Sequence, residues 1–193
     1  MEADWEIELG GGAPVIEARW VGFVDLQRFP RRVRQLPEIH ELPGFADALN
    51  RLNERASPVW TSKCDVWGDV GRDEFDPDEL DAPLGTDRHA MACYVDMLPK
   101  SDQQWASQEK AIVACKKLCA HIHLIGLRCC RVDLVVRRAF TTGKSMGFGV
   151  TAYLTACGPT VSQAKAVLSS ALDAFTDAVV PMPAAEKAVQ KLQ

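Results

Sequence analysis

Apolar residues recur at spacings of three and four in three stretches of the chain and alternate with polar ones in much of the remainder. In "ELPGFADALNRLNER", Leu42, Phe45, Leu49 and Leu52 line one face, so a helix is expected over about 42–55. A second is expected from Ser101 to about His121. There "SDQQ" supplies a capping oxygen with a Gln three residues on, and Trp105, Ile112, Cys115, Cys119 and Ile122 form the apolar seam. The third follows Gly158-Pro159, where Thr160 caps and Gln163 reciprocates. Its stripe is Val161, Ala164, Leu168, Leu172, Phe175 and Val179. A short helix over "AAEKAVQKL" is expected after Pro183.

The alternating runs read as strands, rich in β-branched and aromatic residues and bounded by Gly, Pro or charge. They are "VIEARWVGFV" (15–24), "PVWTSKCDVW" (58–67), "HAMACYVDML" (89–98), "RCCRVDLVVRRA" (128–139) and "MGFGVTAYLTAC" (146–157). A shorter one, "WEIEL" (5–9), leads through the turn-prone "GGGAP" to the next strand. Set in order, the elements are β-β-α three times over, in units of roughly 2–55, 58–122 and 127–180 that share no evident sequence identity. A second parsing of the same elements follows the β-α-β-β-α-β order of a ferredoxin-like core. Both give an α+β fold, a two-layer sandwich of about six mostly antiparallel strands with three helices on one face. Residues 1–193 are expected to form a single α+β domain with an acidic excursion at 68–87.

Composition narrows the function classes. With 47% apolar and 25% charged residues, the 193-residue chain can bury a core. It has no apolar run long enough for a membrane helix, and its acidic N-terminus does not resemble a signal peptide. Seven cysteines without an export signal suit a reducing cytoplasm. A net charge of −4 argues against a nucleic-acid partner. The expectation is a soluble cytoplasmic protein that engages neither nucleic acid nor membrane.

Two motifs invite chemistry and do not sustain it. Gly143-Lys144-Ser145 ends like a phosphate-binding loop, but the position five before Gly143 is Arg138, and a strand pattern follows where a helix is needed. "TTGKSMG" is therefore expected to be a hairpin connection. "CKKLCAHIH" holds Cys115, Cys119, His121 and His123, yet the two cysteines lie in the apolar seam and the histidines point elsewhere. No metal or cofactor is expected, and no nucleophile motif decides whether the protein is an enzyme.

Charged segments add little by themselves. In "DPDEL" Asp76 is expected to cap, Pro77 to open a helical turn and Glu79 to return the capping bond, leaving the other acids of 68–87 to solvate a loop. Arg28, Arg31, Arg32 and Arg34 can receive an anionic partner or the acidic loop of the same chain.

The strands' polar face is the most suggestive pattern. If Val132, Leu134 and Val136 meet the helices, Arg131, Asp133 and Arg137 point away from them. Alternation adds Lys63, Asp65 and Trp67, then Tyr94 and Asp96, then Thr151, Tyr153 and Thr155, with Glu17 and Arg19 on the second strand. The candidate binding face is thus Lys63, Asp65, Trp67 and Tyr94 together with Asp96, Arg131, Asp133 and Tyr153. It suits a protein-interaction or structural module that uses this face or a sheet edge toward a partner or its own copy. The alternative is a small-ligand-binding protein or enzyme with Asp96 and Asp133 as its carboxylates, beside Arg131 and Tyr94.

Overall fold

Alternation in the strand segments and three-four spacing in the helices build one mixed sheet with three helices packed against it. The computed structural model describes residues 1–70, 75–101, 103–141 and 144–182. In chain order the elements are β1 (Glu2–Glu8), β2 (Ile16–Ala18), α1 (Phe45–Asn53), β3 (Val59–Val70), β4 (His89–Pro99), α2 (Gln108–Ile122), β5 (Cys130–Thr141), β6 (Lys144–Gly158) and α3 (Val161–Val179). This is the threefold β-β-α order. The sheet runs β1-β5-β6-β4-β3, with β2 also paired to β5. Because β6 lies between β5 and β4, the second strand of the chain never reaches β4, as a ferredoxin-like core would require.

The first two strands do not form a hairpin. Glu2–Glu8 runs parallel to Arg131–Arg137, and Ile16–Ala18 runs parallel to Ala139–Thr141, so both occupy one edge lane in succession. The ten-residue strand expected at 15–24 is reduced to three residues. Arg19 has φ 64° and Gly22 φ 93°, values that end an extended chain. The segment after β2 then crosses the sheet's other face at one end. Ser62 donates a hydrogen bond to the Glu17 carbonyl, and Trp20, Phe23 and Trp60 meet edge-to-face. Gly149 permits this crossing, since a Cβ there would lie 2.8 Å from Ile16 and 2.9 Å from the Met97 carbonyl.

Side chains from β4, β5 and β6 that face the helices, among them Val95, Leu134 and Leu154, share one core with Phe45 of α1, Cys115 of α2 and Phe175 of α3. Helix α3 is capped as expected, the Thr160 hydroxyl accepting from Gln163 N–H at 3.2 Å, but Gln163 answers by accepting from that hydroxyl at 3.0 Å on its side-chain oxygen. Val161 at its start is exposed instead of buried. Helix α2 starts later than "SDQQ" suggests, at Gln108, with Ser107 as its cap. The Trp105 carbonyl is engaged by Phe148 N–H of β6, which holds that residue outside the helix. The strand at 144–158 pairs antiparallel with β5, so no helix follows Lys144 and the phosphate-loop reading falls. Thr142 and Gly143, and the helix expected at 184–192, lie outside the described residues.

Candidate functional site: the sheet face opposite the helices

Register aligns the polar side chains of neighbouring strands into rows. Asp65 pairs with Tyr94, Tyr94 with Tyr153, Tyr153 with Asp133, and Asp133 with Asp4. Opposed residues in adjacent strands project to the same side. One row of five side chains therefore crosses the sheet, two carboxylates at one end, one at the other and two phenols between. The rings interact: Tyr94 and Tyr153 have centroids 5.8 Å apart, and Trp67 lies 5.4 Å from Tyr94 and 6.5 Å from Tyr153. Trp67 is 39% exposed, a large apolar surface presented to solvent.

Two arginine clusters flank the rings. Arg137 donates to Glu8 at 2.6 and 3.0 Å, to Thr151 at 3.1 Å and to Tyr153 OH at 3.1 Å, and its guanidinium stands 5.6 Å from the Tyr153 ring centre. Thr151 in turn donates to Asp96 at 2.6 Å. A polar line thus joins β1, β5, β6 and β4. Arg131 meets Asp133 at 2.7 Å, Glu79 at 3.1 Å and Asp4 at 3.7 Å. Glu79 therefore reaches the sheet instead of closing a capping box. Asp76 does accept from Asp78 N–H at 2.9 Å, but only a single 3-10 turn follows. The acidic segment also sends Asp81 to Arg128, so it pairs with arginines at 128 and 131 and not with those at 28–34 in any ion pair of the described residues.

Burial sets the titration of the face. Asp96, 6% exposed, has its carboxyl raised by desolvation, with the Thr151 hydrogen bond and the charges of Arg137 and Lys63 pulling the other way. Asp133 is raised by burial as well, opposed by Arg131. Burial, then Asp96 and Asp65, push the Tyr94 phenol up to about 12.

The expected site residues are brought together only in part. Asp65, Tyr94, Tyr153 and Asp133 share the row; Trp67 and Arg131 lie in the neighbouring row with Thr155; Lys63 stands 5.7 Å from the Trp20 ring. Asp96 and Asp133 sit on β4 and β5 with β6 between them, a lateral gap of roughly 10 Å at two strand spacings. They do not form a close carboxylate pair. Arg19 has left the strand. Asp4, Glu8 and Glu79 were missed, although Asp4, Glu6 and Glu8 alternate with Trp5 and Ile7 and so signal an acidic edge.

Two cavities lie nearby or apart. One of about 370 Å³ adjoins the Asp65 end of the row, bounded by Trp20, Leu26, Leu36, Leu49 and Tyr94. Glu38 also lines it, and one carboxylate oxygen of Glu38 is buried without a hydrogen-bond partner. A larger one, about 690 Å³, lies between α2 and the end of α3. Cys115 and Cys119 are buried, His123 accepts from Ala3 N–H at 3.3 Å, and no group of three metal-ligating side chains occurs among the described residues. No helix among them is long and apolar enough to cross a membrane.

The chain matches no protein-family model, no curated protein and no solved structure. The functional reading therefore rests on the geometry of the face.

Proposed function

We propose that this chain is a protein-interaction module that docks a partner protein on the face of its sheet opposite the helices. The observation that carries this reading is the ring cluster of exposed Trp67 with half-buried Tyr94 and Tyr153 on the sheet face opposite the α-helices, between the segment after β2 at one end and Leu80, packed on Ala90 and Cys157, at the other. Aromatic residues and Arg are the side chains that dominate binding energy at protein interfaces, and ringed by polar groups they form a centre from which water is excluded. The arginines of this face are already held by carboxylates and hydroxyls. That preorganisation lowers the ordering cost of docking. We assign the module to the cytoplasm, which its seven unbridged cysteines support.

The test places a photo-crosslinking residue at Thr155, which lies on this face beside Arg131 in register, and a control at exposed Val113 on α2. The protein joined at position 155 is identified and its affinity measured against the parent and Trp67→Ala. Loss of a central aromatic anchor should weaken binding by about thirtyfold. Equal affinities for the two chains, or the same crosslinked protein from position 113, would overturn the proposal.

A further inference from the structure

We infer that the partner presents a basic segment, with two cationic side chains seated at the two ends of the row Asp65–Tyr94–Tyr153–Asp133–Asp4. This rests on the docking proposal above and adds the chemistry of what docks. Strand β1 places Glu2, Asp4, Glu6 and Glu8 on the face, in register with Arg131, Asp133, Val135 and Arg137. Asp133, Asp65 and Asp96 come from the inner strands and β3, and Glu79 from the loop. Among the described residues Lys63, Arg131 and Arg137 stand against these eight carboxylates. The acidic excess of the described face is thus five charges, beside a net −4 for the whole chain.

The excess is not spread evenly. Arg131 alone answers Asp4, Glu79 and Asp133, which leaves unmatched negative charge at that end. At the other end Asp65 has no ion pair within the described residues, and the buried Glu38 oxygen in the adjoining 370 Å³ cavity accepts no hydrogen bond. Between the ends lie ring faces, which attract cations and apolar stems alike. Asp65 and Asp133 are three strands apart, about 14 Å at the usual spacing, a span that four or five extended residues cover. A segment with Lys or Arg at each end and an apolar or aromatic residue between them fits this row. Nucleic acid and anionic membranes carry the wrong sign.

The experiment titrates nona-arginine into the intact protein at low and moderate salt. It compares the parent, Asp65→Asn/Asp133→Asn, and a control with the same charge change on the helix side, Glu41→Gln/Asp47→Asn. The inference expects the face variant to bind at least tenfold more weakly and the control to stay within twofold, with salt weakening the parent. Equal weakening in both variants, or none, would overturn it, as would binding of single-stranded DNA or phosphatidylserine vesicles that the face variant loses. Asp4→Asn alone, which touches only an exposed carboxylate, gives the same readout if the double variant does not fold. The two claims fail separately. If the face variant binds nona-arginine like the parent while Trp67→Ala still loses the crosslinked partner, the face docks a partner that is not basic. If Trp67→Ala keeps that partner, the docking proposal itself is lost.

Discussion

Replacing Arg137 by Met tests how the polar face is held together. The Arg137 side chain is 12% exposed, and from β5 its guanidinium makes contacts on two other strands: Glu8 of β1, and Thr151 and Tyr153 of β6. Methionine keeps much of the apolar stem and removes all of these. Breaking a fully buried ion pair by deleting one partner costs about 3–5 kcal/mol, because the survivor stays charged and dry. Here the survivor is spared that: the Glu8 side chain is 40% exposed and regains water. Thr151 keeps its bond to Asp96 and loses only an incoming donor. What remains is the loss of charge-assisted hydrogen bonds, so the expected destabilisation is about 2 kcal/mol. A double-mutant cycle with Glu8→Gln should return a coupling of about 1 kcal/mol, since the pair is half-solvated. Urea unfolding followed by circular dichroism measures both, with the slope unchanged if the folded state is intact. A loss below about 0.5 kcal/mol, or a coupling indistinguishable from zero, would show that the line from Glu8 to Asp96 does not brace the sheet.

Further outcomes follow from other sites. Burial raises the Asp96 carboxyl, so its ionisation costs stability, absent below the unfolded carboxyl value and growing as pH rises through the raised one. Asp96→Asn should therefore gain on the parent as pH rises from below the unfolded carboxyl value to neutrality, and a gap that shrinks with rising pH would contradict this. Gly149→Ala should cost about 2 kcal/mol or more, because the Met97 carbonyl blocks the new methyl and Ile16 must move; a neutral result by thermal melting would show that the crossing segment is not seated there. Iodoacetamide at pH 8, followed by peptide mass mapping, should label Cys129 first. It is partly exposed, as is Cys64, but burial pushes the thiols of Cys64, Cys115 and Cys157 up to about 12.

Local pattern carried the elements well and their arrangement poorly. Leu42, Phe45, Leu49 and Leu52 are all buried, as their spacing requires, even though the helix itself begins only at Phe45 after the left-handed Gly44. The alternation of 130–136 and 148–154 marks two strands whose apolar sides meet the helices. The sequence pattern misplaces the start of α2: the capping signal points to Ser101, whereas Ser107 caps the helix and the tie of Trp105 to β6 holds residue 105 outside it. In 15–24, alternation persisted through Arg19 and Gly22, whose positive φ has no hydrophobic signature.

The site was legible as a face and not as a row. Sequence alternation assigned Asp65, Tyr94, Asp133 and Tyr153 to one side, but only register makes them neighbours, and register depends on which strands pair. The parallel placement of β1 beside β5 is a long-range contact that no local pattern announces. It adds Asp4 and Glu8 to the site and supplies one carboxylate partner to each arginine. The same strand order separates Asp96 from Asp133, which alternation had grouped together.

The most direct test of the docking account is the dissociation constant of the protein captured at position 155, measured by calorimetry at one salt concentration for the parent and for Trp67→Ala. The account expects about a thirtyfold weakening with the fold intact, the loss typical of a central aromatic anchor. Constants that agree within about twofold, near the limit of measurable change, would mean that the ring cluster is not where the partner binds.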